Sequence, residues 1–178
     1  MLHSPIFKPC PMSNIDIIFA RRSIRRYTDE PVTEEQIHTL LQAGMAAPSA
    51  NNRRPWHFVT VTERATLQAL ADAHPYGKML AGAALAIAVC GDPASSPRYW
   101  EQDCSAATEN ILVAVAGLGL GGVWLGCYPN TDRVASVRRV LSIPDHLQVL
   151  SLLSIGHPAK HKEPRTQYDE ARIHRERW

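Results

Sequence analysis

The amino-acid sequence predicts an α+β fold in which a mixed sheet is flanked by helices and followed by a C-terminal arm. Three observations carry that expectation. Apolar residues recur at helical spacing in several segments, short β-rich runs fall between those segments, and no repeat, low-complexity tract or linker divides the chain. With 178 residues, 45% of them hydrophobic and 20% charged, one domain can bury a substantial core. Residues 1–12, interrupted by three prolines, read as a loose leader, and residues 13–178 as the single domain.

The first helix is expected from the S-x-x-D pattern at Ser13 to Asp16, with Ile15, Ile18 and Phe19 spaced to leave an arginine cluster at its end. Thr33 and Gln36 form a second capping-box pattern, followed by Ile37, Leu40 and Leu41 on one face and a stop near Gly44. Turn formers and hydrogen-bonding side chains make Ala47–Pro55 a loop. A strand over His57–Thr62 leads to a short helix carrying Leu67, Leu70 and Ala71, and Ala84–Cys90 reads as a buried strand. Asp103–Leu118 repeats Ala107, Ile111, Val115 and Leu118 at helical spacing and is expected to be the central helix. Val123–Leu125 then forms a short strand, Thr131–Leu141 a helix, and Leu147–Ile155 a long strand after the Pro144-Asp145 turn. Beyond His157 the chain turns polar, with Ile173 and Trp178 as apolar anchors for packing on a partner subunit.

A formal charge of +2 argues against a polycation that coats nucleic acid. The bias lies in the kind of base, 15 Arg against 4 Lys, and the guanidinium fork matches phosphate and carboxylate. Cys10, Cys90, Cys104 and Cys127 lack zinc-site spacing and read as free thiols of a cytoplasmic protein. The uncharged run Ile111–Pro129 approaches the length of a membrane span, but Gly117, Gly119, Gly121, Gly122 and Gly126 favour a buried helix, a turn and a strand.

Gly117 to Gly122 satisfies the G-x-G-x-x-G pattern in the wrong context, since a helix precedes it and a strand follows; a dinucleotide fingerprint needs the reverse. The segment Arg21-Arg22-Ser23-Ile24-Arg25-Arg26-Tyr27 admits three readings: a solvated helix end, a nucleic-acid patch, or an anion site completed by Ser23 and the Pro48–Asn52 loop. His57 and His157 lack a visible acid or nucleophile partner and read as packing or surface residues. Glu109 stands out as a candidate buried polar group in the central helix.

Taken in order, R-R-S-I-R-R-Y at 21–27, A-P-S-A-N-N-R-R-P-W at 47–56, G-L-G-L-G-G-V-W-L-G at 117–126, the strand into Gly156-His157-Pro158 and the Arg/His/Trp tail resemble the FMN-binding nitroreductases. The resemblance implies a nitroreductase-like fold and a homodimer with FMN at the subunit interface. It assigns Arg21, Arg22, Ser23 and Arg25 to the FMN phosphate, ribityl chain and pyrimidine edge, with Arg25 nearest the ring. Pro48, Ser49 and Asn52 match the loop that holds the flavin from the other subunit, Leu125 and Gly126 the backbone beside the ring, and Arg165 a second phosphate contact. Arg54 stands where such loops commonly carry Gln, and Gln167 where another base is common.

The implied activity is ping-pong transfer of electrons from NAD(P)H, through the flavin, to a nitroaromatic, quinone or similar small acceptor. No side-chain nucleophile, metal, nucleic acid or membrane is required. The same resemblance admits a dehalogenase, a flavin-modifying enzyme, or a flavin-storage protein.

Overall fold

The computed structural model describes residues 15–178. The leader over 1–12, Cys10 and the Ser13 cap lie outside the described residues. Helix α1 (Asp16–Ala20) ends at Arg21, so the arginines follow it as expected. Helix α2 (Glu34–Met45) opens on the anticipated capping box, in which Thr33 Oγ1 accepts from the Gln36 N–H at 3.2 Å and Gln36 Oε1 from the Thr33 N–H at 2.9 Å. These reciprocal bonds satisfy two N–H groups that a helix start leaves without partners.

Strand β1 (Trp56–Val61), helix α3 (Arg64–Ala73), strand β2 (Leu85–Gly91), helix α4 (Trp100–Gly117), strand β3 (Gly121–Gly126), helix α5 (Thr131–Leu141) and strand β4 (Gln148–Gly156) complete the order. The strands pair as β1-β2-β4-β3, antiparallel throughout. The parallel component of the expected mixed sheet is one bridge, Ser23 to Gly122, where the arginine segment runs beside β3. That segment covers what would be an open sheet edge.

Alternating side chains put different residues on the two faces of the sheet. Leu85, Ile87 and Val89 of β2 join α2 and α4 in one core, whereas Ala86, Ala88 and Cys90 join α3 and α5 in the other. A register shift at Val89/Cys90 leaves Leu150 of β4 as an extra residue. Leu150 and Leu152 therefore face opposite cores although they are two apart. Full burial of Leu40, Leu67, Leu153 and Ile155 contributes roughly 1.5–3 kcal/mol for each side chain.

Two elements exceed their expected lengths. α4 begins at Trp100 rather than Asp103, with no side-chain cap. Its start is held instead by Trp100, buried and edge-on to Tyr128 with ring centroids 4.8 Å apart, a tertiary contact that capping rules do not contain. β3 gains Gly121, Gly122 and Gly126, residues with poor strand propensity. Gly121 stands there because a Cβ would come within 2.8 Å of Ile24. The G-x-G-x-x-G run is a helix end as expected: Gly119 adopts φ +72° and its N–H returns to the Ala116 carbonyl.

Among the described residues no helix is long and apolar enough to cross a membrane. Cys90, Cys104 and Cys127 are buried free thiols whose pKa values burial pushes up to about 12. The arm beyond Pro158 is exposed; its expected anchors Ile173 and Trp178 touch solvent, the latter completely. Within one chain they have no core to enter.

Candidate active site

The arginine segment is positioned by backbone bonds and by one buried side chain. Ile24 is buried against Gly121 and donates its N–H to the Gly122 carbonyl at 3.0 Å. Tyr27 closes the other end, its hydroxyl donating toward the carbonyls of Ile24 and Ser154, each at 2.9 Å. Burial raises the Tyr27 pKa to about 12, so the phenol remains a donor. Between these anchors Arg25 and Arg26 project from a fixed ribbon rather than a loose helix end.

Each arginine has its own surroundings. Arg21 pairs with Glu109 at 3.2 Å and shares a cleft of about 420 Å³ with Arg165 and Gln167. Glu109 is thus half-exposed and ion-paired, not the buried polar group expected from its helix; it lies on the outer side of α4, where hydropathy alone could not orient it. Arg22 donates to the Glu163 carbonyl, and Lys162 to the Ser23 carbonyl at 2.8 Å, which ties the arm to the segment. Arg25 is exposed and makes no hydrogen bond or ion pair among the described residues.

Arg25 opens on a cleft of about 530 Å³ whose floor includes Leu125 and Gly126. An ideal Cβ on Gly126 would meet nothing within 4 Å, so the end of β3 presents bare backbone to open space. Sequence reasoning missed His74, Tyr76, Lys78 and Arg133, which complete this cleft from the turn after α3 and the start of α5. The first three lie about 50 residues before Gly126 and Arg133 seven after it, and no motif joins them; only sheet topology does. His74 Nδ1 accepts from the Tyr76 N–H at 3.2 Å, which leaves Nε2 to donate to the Gly126 carbonyl at 3.1 Å. Burial lowers the His74 pKa, in keeping with this neutral tautomer. Arg133 donates to the same carbonyl at 3.3 Å.

The Pro48–Asn52 loop is built separately. Ser49 Oγ accepts from the Arg54 N–H at 2.9 Å, while Asn51, Asn52 and Arg54 take positive φ. Arg54 turns its Nε back to the Asn52 carbonyl. Asp103, buried at the start of α4, accepts from the Ala50 N–H at 2.9 Å and from Ser96 Oγ at 3.0 Å. This anchor went unnoticed because a carboxylate in a first helical turn ordinarily reads as a dipole partner. None of the clefts lined by Arg21, Arg22, Arg25 or Arg165 includes a residue of the Pro48–Asn52 loop.

Among the described residues there is no metal-binding cluster. His57 is exposed on β1, whereas His157, for which the sequence showed no acid partner, lies 3.5 Å from Glu30 and 3.2 Å from the Pro31 carbonyl, a contact that only the tertiary fold creates. The nitroreductase family model matches residues 18–74 and 72–157.

This chain belongs to the nitroreductase family.

A relative from Methanothermobacter thermautotrophicus, provisionally named an NADH dehydrogenase/NAD(P)H nitroreductase, is 46% identical over 96% of this chain and 91% of its own. A crystal structure of a similarly named protein from Bacteroides thetaiotaomicron superimposes with a TM-score of 0.90 at 45% identity, covering 93% of this chain and 98% of that one. A nitroreductase from Desulfovibrio desulfuricans, also provisionally named and solved in complex with FMN, gives 0.78 at 31% identity, covering 93% and 98%. For this nitroreductase-family chain the likeness therefore spans both the Arg25 cleft and the loop tied to Asp103.

Proposed function

We propose that this chain is an FMN-dependent NAD(P)H oxidoreductase that delivers electrons to a nitroaromatic, a quinone or a similar small acceptor, working as a homodimer with FMN at the subunit interface. The observation that carries the reading is the Arg25 cleft, where a guanidinium with no hydrogen bond or ion pair among the described residues shares a cleft with the bare backbone of Gly126. FMN joins a phosphate to a flat ring, and so calls for cations at one end and an unobstructed ledge at the other. The donor set fits both demands.

Leu125 and Gly126 form the ledge for the ring, and Arg25 sets positive charge against its pyrimidine edge, where negative charge grows on reduction. Arg21, Arg22, Ser23 and Arg165 hold the ribityl and phosphate end. Each charge-assisted bond of this kind is worth about 1.5–3 kcal/mol. Arg21 shares its charge between the phosphate and Glu109. Pro48, Ser49 and Asn52 serve the site of the other subunit, which suits an exposed loop that is anchored on Asp103 and lines none of the arginine clefts described for its own chain. The exposed arm, with Ile173 and Trp178, packs on that same subunit.

FMN, when bound, would supply the redox chemistry, hydride acceptance from NAD(P)H and electron delivery to the acceptor. The protein fixes the ring, supplies charge at its edge and leaves one cleft that donor and acceptor enter in turn, in a ping-pong order. The visible absorption spectrum of the purified protein, with mass identification of the released cofactor, tests the class. Anaerobic NAD(P)H should bleach the flavin rapidly, and Arg25→Ala should lower flavin affinity or slow that bleaching. A colourless protein that takes up no FMN refutes the reading, and flavin that NAD(P)H leaves oxidised points to storage instead.

A further inference from the structure

Resting on that reading, we infer that the acceptor side of the Arg25 cleft is built for anionic aromatic acceptors, with Arg133 as the residue that binds their carboxylate or sulfonate. Arg133 is preorganised from three directions. Its backbone N–H is held by the Asn130 cap at 3.0 Å, one guanidinium N–H is held by the Gly126 carbonyl at 3.3 Å, and its guanidinium carbon lies 5.3 Å from the centre of the Tyr76 ring. A guanidinium carries five N–H donors, and the Gly126 carbonyl occupies one. The described residues offer Arg133 no carboxylate: it belongs to no ion pair, and no Asp or Glu lines its cleft.

An arginine is usually satisfied by a carboxylate of its own chain or left to move in solvent. Here it is immobilised, unpaired and joined in the same cleft by Arg25 and Lys78. Three cations exceed what one ring edge requires. Tyr76, two-thirds exposed, adds an aromatic ring at the rim. An aromatic acceptor packed against the exposed edge of Tyr76, whose face Arg133 covers, brings an acidic substituent to the free donors of Arg133, while Gly126 keeps its reducible group beside the ring ledge. Neutral acceptors gain the apolar packing alone, so charge sets the selectivity.

The test compares para-nitrobenzoate with para-nitrobenzamide, which share shape and differ in charge. With the FMN-loaded enzyme, kcat/KM for the benzoate should exceed that for the amide, and Arg133→Gln should cut this ratio on the order of tenfold, the worth of one charge-assisted contact. His74 still donates to the Gly126 carbonyl in this variant, so the ledge is kept. Arg133→Lys, which keeps charge without the fork, should retain part of the preference. Calorimetric binding of the two unreacted compounds, without NAD(P)H, should show the same loss for the benzoate alone. A ratio and a binding preference both unmoved in Arg133→Gln, with flavin content and melting temperature unchanged, overturn the inference. Absence of FMN uptake or of flavin bleaching refutes the underlying oxidoreductase reading instead, and the calorimetric comparison still decides whether Arg133 binds the anion.

Discussion

Replacing Gly121 with Ala probes the joint between the sheet and the arginine ribbon. An ideal Cβ at this position stands 2.8 Å from both Cβ and Cγ2 of Ile24 and 3.1 Å from its Cγ1. Carbon atoms rest at about 3.5–4.0 Å, so Ile24 must retreat by roughly 0.7–1.2 Å. Such a movement stretches the 3.0 Å bond from the Ile24 N–H to the Gly122 carbonyl past useful length. Overpacking costs about 1–3 kcal/mol and the lost bond about 1 kcal/mol, for an expected total near 2–4 kcal/mol. Gly121 does not use positive φ, so the effect is steric rather than conformational. Because Ser23 and Arg25 flank Ile24, FMN affinity should fall along with stability. Urea unfolding and quenching of flavin fluorescence measure the two, and Gly121→Ala/Ile24→Ala, which removes the two clashing γ carbons but keeps the Cβ, should recover part of the ribbon's position. A stability change below about 0.5 kcal/mol with unaltered FMN affinity, at the noise level of neutral surface changes, refutes the reasoning.

Gly126→Ala is the converse case: its Cβ enters open space, so the urea midpoint should barely move while FMN affinity drops, and equal FMN affinity would show that the ring does not lie there. Asp103→Asn replaces one of the two acceptor oxygens that hold the Ala50 N–H and Ser96 Oγ and should cost about 1–3 kcal/mol in urea unfolding, with faster proteolysis of the 47–55 loop; an unchanged loop would mean that Asp103 does not anchor it. His74 has a pKa lowered in the folded state from the ordinary 6.5, so the unfolded chain takes up the proton first and stability is lost as pH falls below about 6.5. His74→Gln keeps a donor for Gly126 without titrating there, and the difference between the urea midpoints of variant and parent at pH 7 and pH 5 should show that loss; parallel pH profiles would exclude it.

The elements legible in the sequence were those whose signal is local. The capping box at Thr33 and Gln36, the helical spacing of Ala107, Ile111 and Val115, and the β-rich run into Gly156 each act over a few residues, and each appears where expected. The glycines of β3 were under-read because propensity counts their missing side chains as a weakness, whereas Gly121 is required by Ile24, almost a hundred residues earlier. Asp103 was likewise read by its place in a helix, although its partners Ala50 and Ser96 come from loops.

By itself the sequence determined the α+β class, the order of the elements and the arginine, loop and glycine motifs that mark a nitroreductase, because hydrophobic period, caps and motif order are properties of the chain. Only the tertiary structure decided that Arg25 meets Gly126 in one cleft, that Arg21 answers to Glu109, and that His74 and Arg133 grip the same carbonyl. Those relations depend on which strands become neighbours, and burial of two apolar faces selects that arrangement for the sheet as a whole.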